Sequence, residues 1–305
     1  MEFSLPTAQA RAYSPSHIHV PLPQGHRFPM GKYAALAEVL RRDGWQVDPA
    51  PAASHAQLAR VHSADYLRTW REGRLEPKAE RKLGLPQSPE LYQRSLHSVG
   101  GTLAALADAW QRGYGVNLAG GTHHAFASHG EGFCVFNDLA ISAYEALQRP
   151  EVRRVLIVDV DVHQGNGTAK LLEHEPRVYT LSVHGARNYP FHKETSDCDI
   201  ALDDGSDDAC YLQRVRHTLP ALLEHNQPQL VLYQAGVDVL AGDRFGRMAL
   251  SLEGVLARDR LVYELCYERG IPLVYTMGGG YQQDIRVTIE AHRRSLQLLR
   301  SIFYR

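Results

Sequence analysis

The sequence predicts an α/β fold with a central, mostly parallel sheet that is covered by helices on both faces. The second half of the chain alternates short β-branched runs with longer amphipathic stretches, which is the pattern of strand and helix units that build a parallel sheet. The strand candidates are continuously apolar, as expected for strands buried on both faces. No Pro/Gly/Ser-rich or charge-biased linker divides the 305 residues. We therefore predict one domain, residues 1–305.

The second half supplies four strand candidates and four helix candidates. The apolar runs 155–158, 178–183, 230–233 and 272–276 predict strands, and their length distinguishes them from helices. The helix candidates begin near Thr168 and span 209–224, 252–268 and 285–299. The first half is less regular, with helix candidates at 30–42, 89–112 and 138–147 and a short strand at 116–118. Ligands of open parallel sheets bind beyond the carboxyl ends of the strands, so the loops there are the candidate site.

The overall composition does not favour nucleic-acid or membrane binding, although it leaves room for a local basic patch. With 22% charged residues and a net charge of -1, the chain gives no reason to expect direct nucleic-acid binding or attachment to an anionic membrane. No apolar run approaches the roughly 20 residues that cross a bilayer, and the segment 1–6 lacks the basic and apolar regions of a signal peptide. We therefore expect a cytoplasmic protein. The four cysteines form no CxxC pair, which argues against a disulfide framework or a cysteine zinc site.

A carboxylate and histidine cluster follows the 155–158 strand. In segment 159–163 (DVDVH), Asp159, Asp161 and His163 alternate along an extended chain and so share one face. Carboxylate oxygen and imidazole nitrogen are both good zinc ligands. Asp238 follows the 230–233 strand and could complete a site with Asp161 and His163. The alternative for each residue alone is a polar strand end or a turn.

Two glycine-rich loops carry further candidates. His123 and His124 follow Gly120 and Gly121, which can bend the chain so that both imidazoles reach one cavity, and a neutral imidazole suits a general base near pH 7. Tyr281 follows three consecutive glycines after the last strand, where its phenol could donate a hydrogen bond to a developing oxyanion. Each loop alone is more typical of an ordinary turn.

Together and in this order, these segments resemble the histone deacetylase superfamily, whose fold is shared with arginases. The matching motifs are GGTHH at 120–124, GFC at 132–134, ND at 137–138, DVDVH at 159–163, AGD at 241–243 after Asp238, and GGGY at 278–281. The resemblance extends from about His26 to Tyr281. It implies an arginase/deacetylase-like fold and zinc-dependent hydrolysis of the amide of N-acyl-lysine in proteins or peptides.

The same resemblance assigns roles to individual residues. Zinc would be bound by Asp161, His163 and Asp238. His124 would act as general base and then acid, with His123 oriented by Asp159 and the carbonyl polarised by Tyr281. Gly132 and Phe133 would line the substrate tunnel, and Tyr189 and Phe191 are candidates for its second aromatic wall. A structural monovalent cation, expected to be potassium, would lie near Asp159, Asp161, His163 and Ser182.

One departure from the common family pattern concerns the partner of His124. Many family members have an aspartate where this chain has Asn166, in segment 163–167 (HQGNG). An amide does not stabilise an imidazolium as a carboxylate does, so we expect His124 to be less basic. Class IV deacetylases and their bacterial relatives share this choice, and segment 26–33 (HRFPMGKY) also resembles that branch.

Three alternative functions stay open at this stage. The same chemistry could hydrolyse an acetylpolyamine or another small acylated amine, although no long insertion of the kind found in those relatives is evident. A manganese ureohydrolase of the arginase type would have DxHxD where this chain has DxDxH. A non-catalytic acyl-lysine binder is disfavoured because the expected site residues are all present.

Overall fold

Eight strands form one sheet in the computed structural model, which describes residues 9–304. The segment 1–6, discussed above for its lack of signal-peptide features, lies outside the described residues. The strands are β1 (Arg11–Ser14), β2 (Gln46–Pro49), β3 (Tyr114–Asn117), β4 (Val155–Asp159), β5 (Val178–Gly185), β6 (Cys198–Leu202), β7 (Leu230–Gln234) and β8 (Leu273–Thr276). Their order is β2-β1-β3-β8-β7-β4-β5-β6, and each neighbouring pair is parallel.

Helices connect and cover these strands. Within residues 9–304 they are α1 (Lys32–Arg42), α2 (His55–Leu58), α3 (Ala64–Glu72), α4 (Pro77–Leu83), α5 (Pro89–Arg112), α6 (Asp138–Ala146), α7 (Asn166–Leu172), α8 (Asp208–Asn226), α9 (Leu252–Glu268) and α10 (Ile285–Phe303). Side-chain caps define several of the beginnings. Ser88 accepts a hydrogen bond from the Leu91 N–H before α5, and Ser251 accepts one from the Gly254 N–H before α9, which satisfies N–H groups that the helix leaves unpaired.

The two faces of β4 show how the sheet is buried. Leu156 and Val158 pack in a cluster with residues of α1, α8, α9 and α10, whereas Val155 and Ile157 pack with residues of α5, α6 and α7. Successive strand side chains point to opposite faces, so each face has its own helical layer. The predicted α/β fold with helices on both faces is confirmed, and the sheet is parallel throughout.

The all-parallel arrangement brings the carboxyl ends of the strands to one edge. β4 lies between β7 and β5, and β8 pairs with both β7 and β3. The loops after β3, β4, β7 and β8 carry the motifs singled out above, so they meet there. Among the described helices, none combines the length and the apolar character needed to span a membrane.

Candidate metal and catalytic centre

Three buried side chains converge beyond the ends of β4 and β7. Each of Asp161, His163 and Asp238 offers one ligand atom, and these atoms lie within 4.8 Å of one another. The Nδ1 atom of His163 is 2.9 Å from Asp161 Oδ1 and 3.2 Å from Asp238 Oδ2. All three residues are buried. Lone pairs that converge without water are costly unless a cation lies among them, so the arrangement suits a metal ion.

Backbone and amide N–H groups hold the two carboxylates in place, and the His163 N–H donates to Asp161 Oδ1 at 3.0 Å. Asp161 Oδ2 accepts hydrogen bonds from the Gly279 N–H at 2.8 Å and the Gln234 amide at 2.7 Å. Asp238 Oδ1 accepts one from the Val162 N–H at 2.9 Å. By contrast, Asp238 Oδ2 accepts no hydrogen bond from residues 9–304. Burial and the nearby Asp161 raise the pKa of Asp238 to about 7, as expected for two carboxylates that share a site without a cation.

His123 forms a buried pair with Asp159. Its Nδ1 lies 2.6 Å from Asp159 Oδ2, and its ring centroid is 4.1 Å from that of His124. Burial lowers the pKa of His123, but the charges of Asp159 and Asp161 outweigh burial and raise it to about 8. His123 is therefore largely protonated near neutral pH.

His124 is held through an amide by a more distant carboxylate. Its Nδ1 lies 2.6 Å from Asn166 Oδ1, and the Asn166 amide N–H donates to Glu131 Oε1 at 2.6 Å. Glu131 is buried, and its other oxygen lies 2.5 Å from Lys82 Nζ. Since Glu131 fixes which end of the amide faces His124, His124 carries its proton on Nδ1 and keeps Nε2 as an acceptor. Burial and the neighbouring imidazoles His123 and His163 hold the pKa of His124 well below its usual value.

Tyr281 is positioned by two groups outside its own loop. Its backbone N–H donates to Asp243 Oδ2 at 2.6 Å. The Lys32 ammonium, in the first turn of α1, donates to the Gly278 carbonyl at 3.1 Å and the Gly280 carbonyl at 3.4 Å and lies 5.0 Å from the centre of the Tyr281 ring. Burial raises the pKa of the Tyr281 phenol well above its usual value, so the phenol remains a hydrogen-bond donor.

The loop that carries the two histidines is fastened by Asp138 at the start of α6. Asp138 Oδ1 accepts from the Thr122 N–H at 2.7 Å, and Oδ2 accepts from the Gly121 N–H at 3.1 Å. Gly121 has a φ of +69°, which an L side chain rarely adopts. The hydrogen bonds from Asp138 and the glycines together turn His123 and His124 into the site.

A cavity of about 470 Å³ leads from the surface to this centre. His124, His163 and Tyr281 line its deep end, and the aromatic ring of Phe133 packs 6.1 Å from that of Tyr281. Tyr189 lies 5.0 Å from the His124 ring. The other lining residues are Arg27, Lys82, Leu83, Gly84, Gly132, Arg187, Asn188, Phe191, Arg244, Phe245, Gly246 and Arg247.

The structure brings most of the predicted site residues together. Of the two aromatic candidates for the second wall, Tyr189 is part-buried beside His124, whereas Phe191 is 79% exposed at the outer part of the cavity. Ser182 is buried and pairs in register with Asp159 on the adjacent strand. Its hydroxyl lies 3.0 Å from His184 Nδ1.

Four supporting residues were not assigned a role from sequence: Lys32, Glu131, Gln234 and Asp243. Lys32 and Asp243 lie within motifs named above, and Glu131 directly precedes one, but the importance of each depends on partners elsewhere in the chain. Gln234, the last residue of β7, was recognisable as a polar residue at the end of an apolar strand. Such strand-end polarity was a signal that could have included Gln234 in the site.

The sequence is similar to a protein family and to individual known proteins. The family model described as "Histone deacetylase domain" matches residues 26–296. An uncharacterized protein of Picosynechococcus sp. is 42% identical over 295 residues, which cover 95% of this chain and 98% of that protein. Histone deacetylase 2 of Arabidopsis thaliana is 32% identical over 272 residues, covering 85% of this chain and 70% of that protein.

Two solved structures share the fold. The acetylpolyamine aminohydrolase of Burkholderia pseudomallei superimposes with a TM-score of 0.78 at 21% identity, covering 96% of this chain and 99% of that chain. A histone deacetylase homolog complexed with SAHA superimposes with a TM-score of 0.77 at 20% identity, covering 97% and 88% respectively. The family match extends over the segment that carries all the motifs of the centre, from the GGTHH loop to the GGGY loop, so this chain belongs to the histone deacetylase family.

Proposed function

We propose that this chain is a zinc-dependent amidohydrolase that removes acyl groups from lysine side chains in proteins or peptides. One observation carries the proposal. His163, a member of the buried cluster with Asp161 and Asp238, lines the deep end of the same cavity as His124 and Tyr281. A metal site, a base and an oxyanion donor therefore have access to one bound amide.

Zinc suits the cluster because its donors are two carboxylates and one imidazole. Catalytic zinc sites commonly have three protein ligands and leave another position for the substrate. Asp161, His163 and Asp238 would hold the ion, and Asp238 Oδ2 would gain the partner that it lacks among the described residues. The bound ion would supply Lewis-acid chemistry toward the amide carbonyl.

His124 would move the protons of the reaction. Its neutral Nε2 accepts a proton from the water that adds to the amide carbon. The carbon–nitrogen bond then breaks, His124 returns the proton to the leaving lysine amine, and the acyl group leaves as a carboxylate. Asp159 would hold the neighbouring imidazole of His123 in place beside the reacting carbonyl.

Tyr281 would stabilise the negative charge that develops on the carbonyl oxygen. The Asp243 and Lys32 contacts fix its loop before substrate binds, and preorganised donors of this kind are a large part of enzymatic catalysis. Gly132, Phe133, Tyr189 and, at the outer part, Phe191 would surround the acyl-lysine chain.

The experiment compares Tyr281→Phe with wild type on an acetyl-lysine peptide, using zinc-loaded protein. Loss of one oxyanion donor lowers turnover by roughly 10²- to 10³-fold, while zinc content by metal analysis stays at one ion per chain. Tyr267→Phe, on the exposed side of α9, is the matched control. Wild-type turnover in Tyr281→Phe, or turnover that survives a strong chelator, would contradict the proposal.

Two finer assignments belong to the same proposal. A potassium ion would lie near Asp159, Asp161, His163 and Ser182, supported by the pairing of Asp159 with Ser182 on neighbouring strands. A rise in melting temperature with potassium that sodium does not reproduce would test it. Placement in the class IV branch is supported by Gln164 and Asn166 in segment 163–167.

An acetylpolyamine is the second candidate substrate. The observation in its favour is the fold shared with the acetylpolyamine aminohydrolase of Burkholderia pseudomallei. The chemistry would be the same, so the two candidates differ only in what the mouth of the cavity accepts. Comparing kcat/KM for an acetyl-lysine peptide with that for an acetylated polyamine separates them.

A further inference from the structure

The mouth of the cavity is surrounded by positive charge. Five exposed basic side chains line it, and we call them the cationic rim: Arg27, Lys82, Arg187, Arg244 and Arg247. They come from four separate parts of the chain, namely the segment before α1, helix α4, and the loops after β5 and β7. The whole chain has a net charge of -1. The rim is therefore a local concentration of charge and does not follow from overall composition.

Only part of this charge is balanced by neighbouring carboxylates. Lys82 pairs with the buried Glu131 at 2.5 Å. Arg187 and Arg247 share Asp204, at 3.5 Å and 3.4 Å. Among residues 9–304, no carboxylate lies within ion-pair distance of Arg27 or Arg244. Five cations thus meet two carboxylates, which leaves an excess of three positive charges at the mouth.

The deep end of the cavity does not cancel that excess. The Asp159 carboxylate is paired with His123. The Asp243 carboxylate accepts a hydrogen bond from the Tyr281 N–H, and the nearby Lys32 ammonium interacts with it electrostatically. The carboxylates of Asp161 and Asp238 would be neutralised by a divalent ion. The excess charge therefore lies at the exposed rim, where the residues that flank an acyl-lysine would lie, and not around the acyl group.

We infer, on the basis of the proposed function, that the cationic rim selects acyl-lysines in polypeptide segments that carry Asp or Glu next to the modified lysine. Complementary charge at the mouth speeds the encounter with such a substrate. The same charge repels an acetylpolyamine, which keeps ammonium groups, and repels segments rich in Lys or Arg. Because the rim is exposed, each pair contributes modestly and is weakened by salt.

The test uses three peptides of equal length with a central acetyl-lysine flanked on both sides by Asp, Ser or Lys. At low salt we expect kcat/KM to fall in the order Asp, Ser, Lys, with roughly a tenfold span. At high salt the span should shrink to less than threefold. Turnover of all three within twofold at low salt, the reverse order, or faster turnover of N-acetylspermidine than of the Asp peptide would overturn the inference.

Charge-reversal variants locate the effect. Arg244→Glu should reduce the Asp-to-Lys preference at least threefold, whereas Arg153→Glu makes the same charge change beside the amino end of β4, the opposite edge of the sheet, and should leave the preference unchanged. Equal loss in both variants would overturn the role of the rim. A preference for succinyl-lysine over acetyl-lysine that ignores the flanking residues would also overturn it, since the charge would then act on the acyl group.

Failure of the proposed function gives a different result from failure of this inference. If zinc-loaded protein cleaves none of the peptides, the proposed hydrolysis is wrong. Fluorescence anisotropy of the same three labelled peptides still reports whether the mouth prefers the Asp peptide. If the peptides are cleaved without regard to flanking charge, hydrolysis stands and the charge selection is wrong.

Discussion

At the scale of single residues, the most informative departure from the common family pattern is the partner of His124, which is Asn166 and not an aspartate. Burial and the charges of His123 and His163 hold the pKa of His124 well below its usual value, whereas the hydrogen bond to Asn166 raises it. That an aspartate in place of Asn166 would make His124 more basic stays a prediction. The structure adds Glu131, which accepts from the Asn166 amide. A negative charge is therefore present one hydrogen bond farther from the imidazole than an aspartate would place it.

This geometry predicts that Glu131→Gln lowers activity in the wild-type chain but raises it in the Asn166→Asp variant. Glu131→Gln in the wild-type chain lowers kcat/KM by about tenfold, because Gln lacks the charge and presents an N–H toward either Lys82 or the Asn166 amide. Asn166→Asp places two carboxylates against each other and also lowers activity. In Asn166→Asp, the further change Glu131→Gln restores a donor for Asp and should raise kcat/KM.

The measurement is a double-mutant cycle on kcat/KM, with zinc content and circular dichroism recorded for each variant. A residue with only a structural role would give losses in the same direction in both backgrounds. If Glu131→Gln lowers activity in Asn166→Asp as well, the hydrogen-bonded chain from Glu131 to His124 is not what positions the base.

At the scale of elements, the close contacts of the loop after β8 explain why it is rich in glycine. A Cβ atom on Gly279 would lie 1.9 Å from Asp238 Oδ2 and 2.7 Å from Asp161 Oδ2. The loop must therefore pass directly against the two proposed ligand carboxylates. Gly279→Ala is expected to weaken zinc binding at least tenfold, since any relaxation displaces those oxygens. Zinc affinity from competition with a chelating dye checks this.

Gly31→Ala is the control for that substitution. Gly31 has ordinary helical dihedrals, and a Cβ there meets no atom within 4 Å. We expect its zinc affinity to equal that of wild type. Unchanged zinc affinity in Gly279→Ala would mean that the loop adjusts freely and does not constrain the ligands.

The start of α6 makes a second element-scale prediction, because it depends on a neutral histidine. His62 Nδ1 donates to the Phe126 carbonyl, and Nε2 accepts from the Asn137 N–H at 3.0 Å. Burial lowers the pKa of His62 to about 4. Protonation of His62 would place a hydrogen on Nε2 and remove the acceptor of the Asn137 N–H. Asn137 directly precedes Asp138, which holds the histidine loop.

The sign of the pH effect follows from linkage. The folded pKa of His62 is below the unfolded value of about 6.5, so its contribution to stability is present above pH 6.5 and is lost as pH falls toward 4. Between pH 7 and pH 5 the loss is about 2 kcal/mol. We expect the free energy of unfolding of wild type to fall by that much more than that of His62→Gln in urea titrations. Parallel pH profiles for the two proteins would exclude His62 as the source.

At the scale of the whole molecule, sequence patterns predicted the central sheet better than its margins. The strands that became β4, β5, β7 and β8 were predictable because they are continuously apolar. β1, β2 and β6 were missed since they lie toward the edges and mix polar with apolar residues, as in Arg11–Ser14 and Cys198–Leu202. The short helices α2 to α4 were missed because a segment of four to nine residues gives little periodicity.

The candidate site divides in the same way. Asp161, His163, Asp238, His124 and Tyr281 were predictable because each stands at a strand end or in a family motif. The residues that hold them were not, because their partners are set by the fold. Lys32 contacts a loop 246 positions later in the chain, and no local pattern marks such a pairing.

For the whole molecule, the proposed zinc site predicts that the stabilisation by zinc depends on pH. In metal-free protein the pKa of Asp238 is about 7, above its unfolded value, so the stability from the protonated carboxyl is lost as pH rises through 7. Zinc replaces that proton and binds more tightly as pH rises. The gain in Tm on adding zinc should therefore be larger at pH 8 than at pH 6. Asp238→Asn should show little gain at either pH, and an equal gain in that variant and in wild type would place the stabilising metal elsewhere.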